Sequence, residues 1–236
     1  MKTILFCLPY GGGSATVYHS WKKDLHRSIE LVPLELAGRG RRFVDPFYRD
    51  LDEAVDDIYQ MIIGQVGHSS YSIFGHSMGA LLAFECAHRL RIKNQRMPEF
   101  LFLSGRNPPH RIGDKPRHQL SDEEFRQEIF SLGGTPREVM EQTEMFDFFL
   151  PILRADFRMI ETYETQRSYE KLACKILVLH GSRDELASPS MVEEWSMYTE
   201  KGFQSIPFEG DHFFIHSQKG SVIGLINETL TSTATE

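Results

Sequence analysis

No stretch of this 236-residue chain approaches the run of about 18 apolar residues that a membrane-spanning helix requires, so no membrane is expected as a partner. Cysteine is scarce. The three present, Cys7, Cys86 and Cys174, are odd in number and sit among apolar residues, which points to buried free thiols in a reducing, cytoplasmic setting. No motif around any of them marks a catalytic thiol. Basic residues are outnumbered, 26 against 33 acidic, giving a formal charge of −7. That balance argues against nucleic acid as a partner. The local basic clusters Arg39-Gly-Arg-Arg42 and Arg89-Leu-Arg-Ile-Lys93 read as solvated loop and helix faces. H-E-x-x-H, G-x-x-x-x-G-K-[ST] and G-x-G-x-x-G spacings are all missing, so no metal or nucleotide cofactor is expected. No internal repeat is present. The opening Met1–Pro9 lacks a cleavage site and reads as a first core strand rather than a signal peptide.

Hydrophobic residues at 41% and charged residues at 25% are ordinary for one globular domain with a sizeable core. Six β-rich apolar segments stand out: Thr3–Leu8, Glu30–Leu36, Ser72–Phe74, Phe100–Ser104, Lys175–Leu179 and Phe203–Pro207. Helical patterns such as Leu51–Ile63 and Ala80–Arg91 lie between most of them. Strands alternating with helices imply βαβ units, a mostly parallel sheet and binding residues at the strand carboxyl ends. One interval breaks the rhythm. Leu120–Tyr163 reads as several short amphipathic helices, the first started by Ser121 with Glu124, separated at Leu132-Gly-Gly-Thr-Pro136 and interrupted at Pro151. Met145-Phe-Asp-Phe-Phe-Leu150 needs burial, so residues 107–172 are expected to form a helical lid inserted into a core of 1–106 and 173–236. The tail Thr231–Glu236 is polar and expected to fray.

The most informative stretch is Tyr71-Ser-Ile-Phe-Gly-His-Ser-Met-Gly79, followed by the helix-forming Ala80–Leu90. Gly75-His-Ser-Met-Gly79 matches G-x-S-x-G, the nucleophile elbow, in its required context of strand before and helix after. A serine hydroxyl needs a base, and the base needs an acid to fix its tautomer. In α/β-hydrolases these follow the serine as acid, then histidine. Asp184 ends a buried strand and Gly-containing turn, with Glu185 as its rival. His212 stands just beyond the loop of Phe203–Asp211, with His216 as its rival. His180 reads as a strand-end residue and His76 as filling structure. Backbone N–H donors for an oxyanion are expected from Met78, after the nucleophile, and from the glycine loop Leu8-Pro-Tyr-Gly-Gly-Gly-Ser14.

Several of these stretches, with Leu36-Ala-Gly-Arg-Gly40, Leu150-Pro-Ile-Leu-Arg-Ala-Asp156 and Gly210-Asp-His-Phe-Phe214, occur in an order that resembles the type II (external, editing) thioesterases of nonribosomal peptide and polyketide synthesis. The resemblance runs along nearly the whole chain, and extends more distantly to medium-chain fatty-acid-synthase thioesterases. It implies an α/β-hydrolase fold and hydrolysis of misprimed or stalled acyl groups from the phosphopantetheine thioester of acyl or peptidyl carrier proteins. It further implies Ser77, Asp184 and His212 as catalytic triad, with Met78 and Gly11 as oxyanion donors. The family often has Ala where Gly11 stands and Pro where Ala37 stands. Leu36–Arg42 reads as structural or channel-lining. A general carboxylesterase or lipase, or an acyltransferase, is the alternative on the same fold. No cofactor is expected, and a monomer is.

Overall fold

The computed structural model describes residues 2–111, 116–133, 143–164 and 169–232. Six strands, β1 (Thr3–Leu8), β2 (Ile29–Pro33), β3 (Tyr71–His76), β4 (Phe100–Ser104), β5 (Lys175–Gly181) and β6 (Phe203–Phe208), form a sheet in the order β2-β1-β3-β4-β5-β6. Every pairing in it is parallel. The inner strands β3 and β4 are buried along their whole length, as continuous apolar runs covered by helices on both faces must be.

One face packs on α1 (Leu51–Val66) and α2 (Met78–Ile92), the other on α5 (Lys219–Ser232) and the 3₁₀ helix Ala15–Trp21. Asp50 caps α1 by accepting from Glu53 N at 2.9 Å. Leu51, Ala54, Val55, Ile58, Tyr59 and Ile62 then recur at helical spacing on its buried face. The basic residues at the end of α2 are engaged: Arg89 pairs with Asp52 and Asp56 of α1, and Arg91 with Glu170.

Between β4 and β5 the described residues contain no strand. They hold α3 (Asp122–Leu132), started by a capping box between Ser121 and Glu124, and α4 (Thr143–Glu161). Phe125, Ile129, Phe146 and Leu153 gather there in an apolar cluster separate from the two sheet faces. Part of the expected break at 132–136 lies outside the described residues, as do residues 233–236 of the tail. Pro151 does not end a helix as its residue type suggested, because α4 runs through it. Pro151 is exposed, while Phe146, Ile152 and Leu153 are buried and anchor the helix on both sides of it, offsetting the hydrogen bond the proline cannot make.

The strand order reverses direction between β1 and β3, and Leu8 lies abreast of Gly75. The loops leaving β1 and β3 therefore diverge into a crevice at their carboxyl ends. β2 ends three residues before the expected Leu36. After Leu34 N donates to Cys7 O at 2.9 Å, the chain turns and brings Glu35 and Arg39 toward that crevice.

Candidate active site

Ser77 links β3 directly to α2, with φ 54° and ψ −112°. A non-glycine residue there costs about 1–3 kcal/mol, so the surroundings must enforce the turn. They do so by close approach. A Cβ at Gly75 would fall on the Gly79 carbonyl, and one at Gly79 on the Leu8 carbonyl. Ser77 N donates to Ser104 O at 2.7 Å. Although Ser77 occupies the N-cap of α2, its hydroxyl caps nothing and is left for another partner.

That partner is His212, from the loop after β6, whose Nε2 lies 2.9 Å from Ser77 Oγ. Its Nδ1 lies 2.9 Å from Asp184 Oδ2 and 3.1 Å from Oδ1. An ionised carboxylate only accepts, so Nδ1 carries the proton and Nε2 is left as acceptor for the Ser77 hydroxyl. Asp184, buried after β5, is held by Leu186 N at 2.9 Å and Ala187 N at 3.1 Å. Glu185, its rival, is exposed. His216 bonds Tyr10 Oη at 3.2 Å, and the buried His180 lies within β5. His76 packs its ring against His212, centroids 5.1 Å apart, and its Nδ1 meets Ser104 Oγ at 2.9 Å. Burial, then the neighbouring His212, hold the His76 pKa well below the usual imidazole value, so it stays neutral.

Gly11 and Met78 line one cavity of about 410 Å³ with Ser77 and His212. Met78 opens α2, where the first N–H groups have no acceptor within the helix. The glycine loop is held from two sides. Asp156 of α4 accepts from Gly12 N at 2.7 Å. The same carboxylate forms a two-pronged pair with Arg39, 2.7 Å to Nη1 and 2.6 Å to Nη2, and Arg39 Nη1 also donates to Gly13 O at 3.1 Å. Both side chains are 3% exposed. Glu35 Oε1 accepts from Ala15 N at 2.9 Å just beyond the loop. Leu153, Asp156 and Phe157, one face of α4, lie against the loop: Phe157 Cε2 is 3.7 Å from where a Gly11 Cβ would stand, and Leu153 fills the place of a Gly12 Cβ. Gly12 has φ +77°, which glycine alone adopts at little cost.

Arg39 therefore corrects the reading of Arg39–Arg42 as a solvated face. It is buried because Asp156 neutralises it, and Arg42 is engaged too, with Asp45 at 2.7 Å and Asp57 at 2.5 Å. Neither Asp156 nor Glu35 carries a local motif of its own. The only signal was their place inside the quoted stretches Leu150–Asp156 and the end of the second apolar segment. Among the described residues no cluster of His, Cys, Asp or Glu suits a metal ion. No described helix is long and apolar enough to cross a membrane.

A model of the thioesterase domain matches residues 3–230. The chain is 36% identical over 236 residues to the protein called linear gramicidin dehydrogenase LgrE of Brevibacillus parabrevis, covering 98% of this chain and 89% of that one. The structure of ClbQ from the colibactin NRPS/PKS pathway superposes with a TM-score of 0.94 at 38% identity, covering 98% of each chain. That of the type II thioesterase BorB from the borrelidin biosynthetic cluster superposes with a TM-score of 0.88 at 34% identity, covering 97% of this chain and 92% of that one.

Proposed function

The chain belongs to the thioesterase family, and from that premise we propose that Ser77, His212 and Asp184 hydrolyse acyl thioesters carried on the phosphopantetheine arm of acyl or peptidyl carrier proteins. The relatives from borrelidin and colibactin biosynthesis support a task in nonribosomal peptide or polyketide synthesis, the removal of misprimed or stalled acyl groups. The observation that carries the chemistry is the continuous relay Ser77 Oγ, His212 Nε2, His212 Nδ1, Asp184 carboxylate, each step at 2.9 Å, opening into a cavity.

In this reading His212 Nε2 takes the Ser77 proton as Oγ attacks the thioester carbonyl. The oxygen that becomes negative is received by the N–H groups of Met78 and Gly11, each such donor being worth about 3 kcal/mol. Collapse breaks the C–S bond, and His212 returns the proton to the departing thiolate. Water then attacks the acyl-enzyme while His212 again takes a proton, and the acid leaves with Ser77 restored. Asp184 keeps the imidazole in one tautomer and stabilises its charged form. The described part of residues 107–172 serves as lid, with Leu132 of α3 and Phe157 and Ile160 of α4 lining the cavity. An apolar wall discriminates weakly between chains, about 1–3 kcal/mol per methylene, which suits an editing task. We place the protein in the cytoplasm as a monomer acting on carrier proteins, consistent with three buried, unpaired cysteines.

The test compares acyl-carrier protein with a simple p-nitrophenyl ester of the same acid. Higher kcat/KM on the carrier thioester is expected. Turnover of the ester with none of the carrier thioester would replace this reading by that of a general esterase.

A further inference from the structure

Three arginines, Arg106, Arg111 and Arg117, line the cavity that holds Ser77 and His212. Two are spoken for. Arg111 is bound through Nε and Nη2 to Glu194 at 2.8 and 2.9 Å, and Arg117 reaches Glu128 at 3.2 Å and Glu161 at 3.8 Å. Arg106 has no carboxylate partner among the described residues. Burial pulls its pKa down to about 10, with only the Tyr163 phenol acting the other way. That phenol is itself neutral, since burial and Glu85 push its pKa well up. Of the carboxylates lining the cavity, Glu161 meets His118 through Oε2 at 2.7 Å and Arg117 through Oε1 at 3.8 Å, and Glu185 stands exposed. Arg106 therefore brings a cation at neutral pH to the lining of the reaction cavity, and no carboxylate among the described residues pairs with it.

Its position in the chain is fixed as well. Arg106 follows Gly105 at the end of β4, and a Cβ at Gly105 would stand 3.3 Å from His212 Cε1 and 2.6 Å from His76 Cε1. Trp195 Nε1 donates to Arg106 O at 2.8 Å. The residue next to the one touching the candidate base is thus the one that bears this cation. Arg106 is half-buried; a partly desolvated charge with no ion-pair partner among the described residues is costly for a fold, and a ligand that brings the opposite charge recovers part of that cost. Planar guanidinium matches carboxylate in a two-pronged geometry that ammonium lacks. The phosphate of the pantetheine arm is also an anion, but it lies at the far end of a long arm, remote from the reacting carbonyl beside which Arg106 is rooted.

We propose that Arg106 binds a carboxylate on the acyl group, so that this chain removes half-thioesters of dicarboxylic acids in preference to apolar acyl groups of equal length. The proposal rests on the thioesterase reading and adds a substrate class to it. Arg106 acts here as a binding residue for the part of the substrate that does not react.

The experiment measures kcat/KM on N-acetylcysteamine thioesters, which carry no phosphate, pairing malonyl with butyryl, succinyl with pentanoyl and glutaryl with hexanoyl. It is run on wild type, Arg106→Gln and Arg106→Lys, and repeated on acyl-phosphopantetheine. For at least one pair wild type should favour the dicarboxylic member, and Arg106→Gln should lower that ratio about ten- to hundredfold, mainly through KM. Arg106→Lys should retain part of it. An unchanged ratio, or equal losses on both members of every pair, overturns the proposal. So does a loss confined to phosphopantetheine substrates, which would assign the cation to the phosphate. Absence of turnover of any thioester by wild type would instead sink the underlying enzymatic reading, an outcome separable from failure of the Arg106 assignment alone.

Discussion

Asp156 is the residue whose replacement tests most about how the glycine loop is kept ready. Its carboxylate neutralises buried Arg39 and accepts the Gly12 amide at 2.7 Å. Asp156→Asn keeps the shape but removes the charge and turns one oxygen into a donor facing a guanidinium. Breaking one side of a buried ion pair costs about 3–5 kcal/mol. In a chain of this size that is roughly 6–20 °C in Tm, leaving a folded protein at 25 °C if total stability is ordinary. The second effect is catalytic. With the loop released, the Gly11 amide to which the proposed mechanism assigns the developing oxyanion would lose its place, and loss of one such donor costs about 10²–10³ in kcat with KM little altered. The two effects separate in the double variant Arg39→Met with Asp156→Leu, which removes both charges and should regain most of the Tm. It cannot restore the bond to Gly12. Thermal unfolding alongside thiol release from an acyl thioester reads both quantities. If kcat recovers together with Tm in the double variant, or is untouched in Asp156→Asn, the pair supports the fold only and the loop argument is wrong.

Asp184→Asn should leave the fold intact and lower kcat about 10⁴-fold, because the amide favours the wrong imidazole tautomer; a loss below tenfold in steady-state assays would count against the relay. Gly79→Ala places a methyl on the Leu8 carbonyl, a backbone contact that cannot yield, and should cost roughly 3 kcal/mol or more; an unchanged urea midpoint would refute that account of the elbow. His88 is buried, with its pKa depressed to about 3 by burial and then Arg91. A depressed histidine pKa means the unfolded chain binds the extra proton first, so stability is full above about pH 6.5 and is lost as pH falls toward 3, by up to about 1.4 kcal/mol per pH unit. His88→Leu should flatten the acid side of the stability profile by that slope, and an identical profile in urea titrations from pH 7 to 4.5 would contradict it.

What could be read in advance was what is local. The elbow, the turn ending at Asp184 and the loop before His212 each pack a strand, a bend and a functional residue into about ten contiguous positions, and the structure brings Ser77, Asp184 and His212 within hydrogen-bond reach. The alternation of strands and helices announced a parallel sheet because apolar runs and helical spacing are themselves local signals. Arg39 and Asp156 escaped because they are 117 positions apart, and nothing in either neighbourhood states that one will neutralise the other. A basic cluster looks solvated until its partner is known. Pro151 misled for a related reason: its helix-breaking tendency is intrinsic, whereas the burial of residues on either side, which overrides it, is tertiary. Arg106 raised no signal either, since an arginine after a strand is informative only once the cavity it lines and the partners of the neighbouring arginines are known.

The central claim is that Ser77 forms a covalent acyl-enzyme with a carrier-bound acyl group. Rapid mixing with acyl-carrier protein, acid quenching and intact-protein mass spectrometry test it directly. Wild type should gain the mass of the acyl group within a turnover, mapped by proteolysis to Ser77, while Ser77→Ala gains nothing and releases no thiol. Undiminished thiol release by Ser77→Ala, or an acyl group mapped elsewhere, would contradict the account.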